Sequence, residues 1–464
     1  MCRRRCPRER APAEARINEG ISAGIRAPAD SGRELLLEMY DAAVAAALPG
    51  PATARAIDAL SIPRGARVWV FAFGKAAQPM ASAAVVSLLR SLHAIVGGIV
   101  VSPDGGPAPY PTLQAIRGDH PIPGRNSFAA ANAVAQTVPG RRGDDVAIVL
   151  LSGGASALIG APIAGMNEAD LTTLFELLLG AGLDVVEMNA VRKRFSRWAA
   201  GRLALALAPA ATHCLAISDV PNDDLAVIGS GPCSPDETRV ADVTTILERA
   251  KLLSRVPQTH REYLQSVSRG RTPETPRRNH PAFAHVTARV VGSNRAALAG
   301  AADRTRERHF EPRVQSTRLS GDAAAAGAAI AREMLAARER GESSCCFIWG
   351  GETTVTLRGS GARATGGGRC QELALATARE LHEAGDAANG ITLLAAGTDG
   401  RDGATDAAGA IVDALTWPAI VDAGRDPSRA LAAHESYGAL AAAGALIQRR
   451  ETGTNVGDIV IGVL

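Results

Sequence analysis

Four uninterrupted apolar runs in the first half of the chain constrain the fold more than any other feature: Val68–Phe73, then residues 95–102, 144–151 and 213–220. Each ends at a glycine or polar turn, and the runs are separated by sequence with helical spacing. A strand that is apolar on both faces must be covered on both faces, so continuous runs with helices between them predict a parallel sheet sandwiched by helices. The first helix is expected from Ser31, with Leu35, Met39, Ala42 and Ala46 on one stripe, ending at Pro49-Gly50-Pro51. Further strands are expected at 288–293, 345–351, 390–399 and 458–464.

At 464 residues the chain is too long for one ordinary core, which points to two domains. The polar, proline-bearing stretch SVSRGRTPETPRRNHPAF is the best linker candidate. The expected division is therefore a disordered extension over 1–30, a Rossmann-like domain over 31–255, a linker over 256–285 and a smaller α/β domain over 286–464. Aromatic residues make up only 3% of the chain, so Ala, Leu and Val must fill both cores. Net charge is +3, from 50 basic and 47 acidic residues, which gives no field to drive binding to nucleic acid or anionic lipid. Seven cysteines without C-x-x-C spacing suit a reducing compartment, and no run reaches the roughly 20 apolar residues that span a bilayer. We expect a cytoplasmic protein acting on a small molecule, with homo-oligomerisation left open.

In α/β sheets ligands gather at the carboxyl ends of strands, and the informative residues all follow strands. Lys75 ends the first strand at Gly74-Lys75, a compact charge suited to phosphoryl oxygens; it is one of three lysines in the chain, with Lys193 and Lys251. After the 144–151 strand come Ser152, Gly153, Gly154, Ala155 and Ser156, whose amides and hydroxyls can meet an anion. Taken alone this segment is equally a tight strand-to-helix turn, and its spacing is not that of a Walker A loop. Beyond the 213–220 strand, Asp219 lies in a carboxylate-rich loop where a magnesium ion held mostly by water and phosphate needs only one or two protein ligands. Arg369 follows three glycines at a helix start, a placement for bidentate recognition of a carboxylate or phosphate. Asp399 sits in the loop GTDGRDGATD after the 390–396 run, and His120 precedes Pro121, where a turn role is favoured.

Together these segments resemble the class II glycerate 2-kinases, the MOFRL glycerate kinase family, from about residue 34 to 464. The resemblance rests on FAFGKAA (71–77), DHPIPGRNS (119–127), VLLSGGASAL (149–158), EMNAVRK (187–193), ISDVPNDDLAVIGSGP (217–232), VVGSN (290–294), LSGDA (319–323), GGETTV (350–355), GGGRCQELALA (366–376), GTDGRDGATDAAGA (397–410) and TGTNVGDI (452–459). It implies a Rossmann-like N-terminal domain, a smaller α/β C-terminal domain, and a site between them that uses ATP and Mg2+ or another divalent cation. It implies D-glycerate as the acceptor at its 2-hydroxyl, and key roles for Lys75 and Arg369. On this basis Lys75, Arg369, Asp219 and Asp399 are expected to be catalytic, with Asp219 and Asp399 holding the metal. Ser152, Gly153, Gly154, Ala155, Ser156, Asn222 and Gly231 are expected around the nucleotide, and Asn189 and Lys193 join Lys75 and Arg369 around the substrate. The chain departs from the family pattern at Arg194 and at Trp198 to Ala200, where a histidine, a lysine and a glycine are usual. Some family members are named hydroxypyruvate reductases, but no strand here is followed by G-x-G-x-x-G. A non-catalytic sugar-acid sensor is the remaining alternative.

Overall fold

The computed structural model describes residues 30–464 except 139, 357–365 and 449; the extension expected over 1–30 thus lies almost wholly outside the described residues. The first sheet contains β1 (Arg67–Phe73), β2 (Ala94–Ser102), β3 (Leu113–Arg117), β4 (Asp145–Leu151), β5 (Ala211–Ile217) and β6 (Val286–Gly292). All its pairings are parallel, in the order β3-β2-β1-β4-β5-β6. That order is doubly wound, and the chain reverses direction across the sheet between β1 and β4, where a crevice opens at the strands' carboxyl ends.

The second sheet contains β7 (Glu311–Val314), β8 (Cys345–Gly351), β9 (Thr392–Gly397), β10 (Ala407–Asp413), β11 (Leu446–Gln448) and β12 (Asp458–Val463), in the order β11-β10-β9-β12-β8-β7. Here every pairing but β7 with β8 is antiparallel. Strands β8, β9 and β12 are buried along their whole length, which explains their unbroken apolar sequences. Strand β10 is not among the expected strands, because its opening Ala-Ala-Gly-Ala carries little β-forming signature.

Three boundaries differ from the sequence reading. The strand assigned to the start of the second domain, β6, is the edge of the first sheet. The stretch 256–285 contains the Gln258–Ser268 helix, which buries His260, Leu264 and Val267. Burial draws the pKa of His260 down to about 4, so it packs as a neutral ring. Pro49, expected only to stop the first helix, α1 (Asp30–Ala46), also begins the next, Pro49–Asp58; proline is tolerated in a first turn because its missing N–H would have no helical partner there.

Helix α1 joins the two sheets. Its Tyr40 hydroxyl donates to the Gly397 carbonyl at 2.8 Å, Met39 meets Cys346, and Glu38 pairs with Arg308. One apolar cluster runs from Val68, Val70 and Ile148 of the first sheet through Leu36, Met39 and Tyr40 to Ile348, Leu394 and Ile459 of the second.

Candidate active site

The turn after β1 and the turn after β4 lock together. Lys75 N–H donates to the Gly153 carbonyl at 2.9 Å, and the Ala76 amide donates to Ser152 Oγ at 2.9 Å. Gly74, at φ +129°, leaves no room for a side chain against Ser152. Gly154, at φ +89°, carries the short Ala155–Leu158 helix; a Cβ on it would stand 3.0 Å from His120 Cδ2 and 3.5 Å from Lys75 Cγ. A Cβ on Gly153 would collide with the Asp219 carboxylate. Lys75, His120, Asp219 and the SGGAS turn thus meet at the switch point of the first sheet, and the Lys75 side chain is exposed there. Burial raises the pKa of Asp219, Lys75 opposes that shift, and the charge of Glu352 adds to it.

Glu352 belongs to the opposite wall. Its carboxylate lies 3.0 Å from the Arg369 guanidinium, which heads the Arg369–Glu383 helix. The side-on edge of Arg369 is taken by Asp458 at the start of β12: Nε donates at 2.6 Å and Nη2 at 2.8 Å. Burial alone would lower the value for Arg369, but the Asp458 and Glu352 carboxylates hold it well above the usual range. Asp458 is lifted to about 6 by burial, against the pull of Arg369 and with Asp402 and Glu352 nearby. Asn294, following β6, donates to the Asp458 carbonyl at 2.9 Å and so ties the carboxyl end of the first sheet to this wall. A pocket of about 340 Å³ opens beside Arg369, lined by Glu352, Thr353, Gly368, Glu372 and His434.

The remaining expected residues divide. Asn189, on the Val185–Phe195 helix, is buried; its Oδ1 accepts the Ser230 hydroxyl at 2.7 Å, and Ser230 meets Ser156 at 2.6 Å, so it braces the SGGAS turn. Gly231 (φ +61°) is buried in the same loop, and Asn222 (φ +62°) is exposed at its tip. Lys193, expected to meet substrate directly, is instead committed to Asp236 at 2.8 Å, both side chains being almost fully enclosed. The Asp399 carboxylate accepts the Arg401 amide at 3.0 Å, and its charge is felt by Tyr40 of α1. The carboxylate of that loop that reaches Arg369's helix is Asp402, which accepts the Cys370 and Gln371 amides at 3.1 and 2.8 Å. Sequence reasoning missed Asp458, Glu352 and Asp402, although they fall in the TGTNVGDI, GGETTV and GTDGRDG segments already singled out. Among the described residues no three His, Cys, Asp or Glu side chains gather into a metal cage, and no helix is long and apolar enough to cross a membrane.

A cavity of about 1070 Å³ lies between the Val185–Phe195 helix and residues 278–288, with Asp223, Val227, Thr238 and Phe283 on its walls.

Residues 35–265 match a domain family described as of unknown function (DUF4147), and residues 345–458 match the MOFRL family. The chain is 33% identical over 439 residues to the D-glycerate 2-kinase of Thermotoga maritima, covering 94% of this chain and 99% of that protein. It is 36% identical to an Agrobacterium vitis protein carrying the provisional name hydroxypyruvate reductase, covering 92% and 94% of the two chains. The crystal structure of glycerate kinase from Thermotoga maritima superposes with a TM-score of 0.82 at 32% identity, covering 94% of this chain and all of that one.

Proposed function

The chain belongs to the class II glycerate 2-kinase family, and from that membership we propose that it uses ATP to phosphorylate D-glycerate on the 2-hydroxyl, giving 2-phosphoglycerate and ADP. The observation that carries this reading is the convergence of Lys75, the SGGAS turn and Asp219 at the switch point of one sheet, with Glu352 and Arg369 facing them from the other. Phosphoryl transfer is catalysed chiefly by positioning and by neutralising charge on the migrating group, and this arrangement offers both. Backbone amides of the SGGAS turn hold the phosphates, and the Lys75 ammonium follows the γ-phosphoryl group toward the acceptor. Asp219 stands against that turn, placed to orient the 2-hydroxyl. The nucleoside takes the large cavity beside the Val185–Phe195 helix, whose volume suits it.

A magnesium ion held mostly by water and phosphate needs one or two carboxylates, and Asp219 with Glu352 fits that requirement better than Asp219 with Asp399. When bound, the ion supplies charge neutralisation at the β- and γ-phosphate oxygens. A reductase reading gains nothing here, since the turn after β1 is Gly74-Lys75 and not a dinucleotide fingerprint. The test is D-glycerate-dependent ADP formation, with phosphorus NMR to identify the 2-phosphate. Consumption of NADH with hydroxypyruvate, without ADP formation from glycerate, would overturn the assignment.

A further inference from the structure

A 2-hydroxy acid must be recognised largely through its carboxylate, yet the guanidinium best known from the family motif is already engaged. Arg369 faces two carboxylates, Asp458 and Glu352, so that wall carries an excess of negative charge and repels a second anion. On the other wall, among the described residues, neither Lys75 nor Arg192 is paired with a carboxylate, and of the two only Arg192 carries a planar fork. Arg192 sits three residues after Asn189 on the Val185–Phe195 helix, hence on the same side as the Ser230–Ser156 link to the SGGAS turn. Its guanidinium is stacked over the Phe175 ring at 4.6 Å. Its Nε and Nη2 are buried without a hydrogen-bond partner among the described residues. Burying a guanidinium with those two donors unpaired costs free energy that the stack on Phe175 offsets only in part. A charge kept in that way is held for a ligand.

We propose that Arg192, with its plane fixed by Phe175 and with His120 and Lys75 beside it, receives the carboxylate of the acid substrate, while Arg369 serves to position Glu352 and Asp458. Two further observations agree. Burial pulls the pKa of Arg192 down to about 10, which leaves it charged at neutral pH. His120 is pushed below its usual value by burial and by the charges of Lys75 and Arg192, so it stays neutral and can meet the substrate hydroxyl without adding a competing charge.

The inference rests on the glycerate kinase reading, and the two are tested apart: ADP formation by the unaltered enzyme tests the reading, while calorimetric titration of D-glycerate in the absence of ATP tests the receptor whether or not transfer occurs. Arg192→Gln should weaken D-glycerate binding and raise its KM at least about 30-fold, with the KM for ATP within about twofold of the unaltered enzyme. Arg192→Lys, which keeps the charge and the stacking stem, should recover part of that loss. A rise confined to the ATP constant would assign Arg192 to the phosphates and overturn the proposal. So would unchanged glycerate binding in Arg192→Lys and Arg192→Gln, or an equal loss on both substrates in a folded variant, which would mark a structural role.

Discussion

At the level of single side chains, Lys75 and Asp458 make the clearest demands. Lys75 approaches the SGGAS turn with an exposed ammonium, and among the described ion pairs no carboxylate holds it. Lys75→Ala should therefore lower kcat/KM at least about 100-fold, near 2.7 kcal/mol of transition-state stabilisation, in a protein that unfolds at the same urea concentration as its parent. Near-native steady-state kinetics in that variant would remove Lys75 from the mechanism. Asp458 has a pH signature. Its value of about 6 in the folded chain lies above the ordinary 3.8, so the folded state keeps this proton where the unfolded chain has lost it. Its contribution to stability is thus fully present below about pH 4 and is lost as the pH rises toward 6. The difference in unfolding free energy between the parent and Asp458→Asn should shift against the parent between pH 4.5 and 6.5, as read from urea titrations. A pH-independent difference would mean that the carboxylate is ionised throughout.

Among secondary-structure elements, the Val185–Phe195 helix shows how much of the site was legible beforehand. Motif order located Lys75, Asp219 and the SGGAS turn at strand ends, because continuous apolar runs specify buried parallel strands and ligands collect where those strands stop, and it located Arg369 at a helix start. Partners across the cleft were not legible. Which of Asp399 and Asp402 turns toward Arg369 depends on the path of a glycine-rich loop, and that Lys193 faces Asp236 while Arg192 faces Phe175 depends on the helix's rotation. The departure at Arg194 belongs here too. That side chain is wholly buried, pairs with Glu274 and donates from Nη2 to the Thr238 carbonyl at 2.9 Å, pinning the helix to the segment after β5 and away from the cleft. Arg194→Ala should cost about 2 kcal/mol of stability, since it removes a wholly buried side chain and its bonds to the half-buried Glu274 and the Thr238 carbonyl, with little change in either KM. A large rise in the glycerate KM without loss of stability would return Arg194 to the site.

For the molecule as a whole, the continuous cluster through α1 matters more than the division into two sheets. Because Leu36, Met39 and Tyr40 share one buried apolar cluster with residues of both sheets, the two halves have a core in common. Calorimetric unfolding should show one cooperative transition, and two resolved transitions would contradict the shared core. Ligand-driven closure is correspondingly limited: small-angle scattering with D-glycerate and a non-hydrolysable ATP analogue should change the radius of gyration by no more than a few per cent. The order of the second sheet also bears on how the chain is made. In chain order β8 and β9 both precede β12, the strand that lies between them in the finished sheet. Asp458 arrives on that strand, and with it the anchor of Arg369. The bidentate pairing of Arg369 with Asp458 therefore cannot form until that strand is in place.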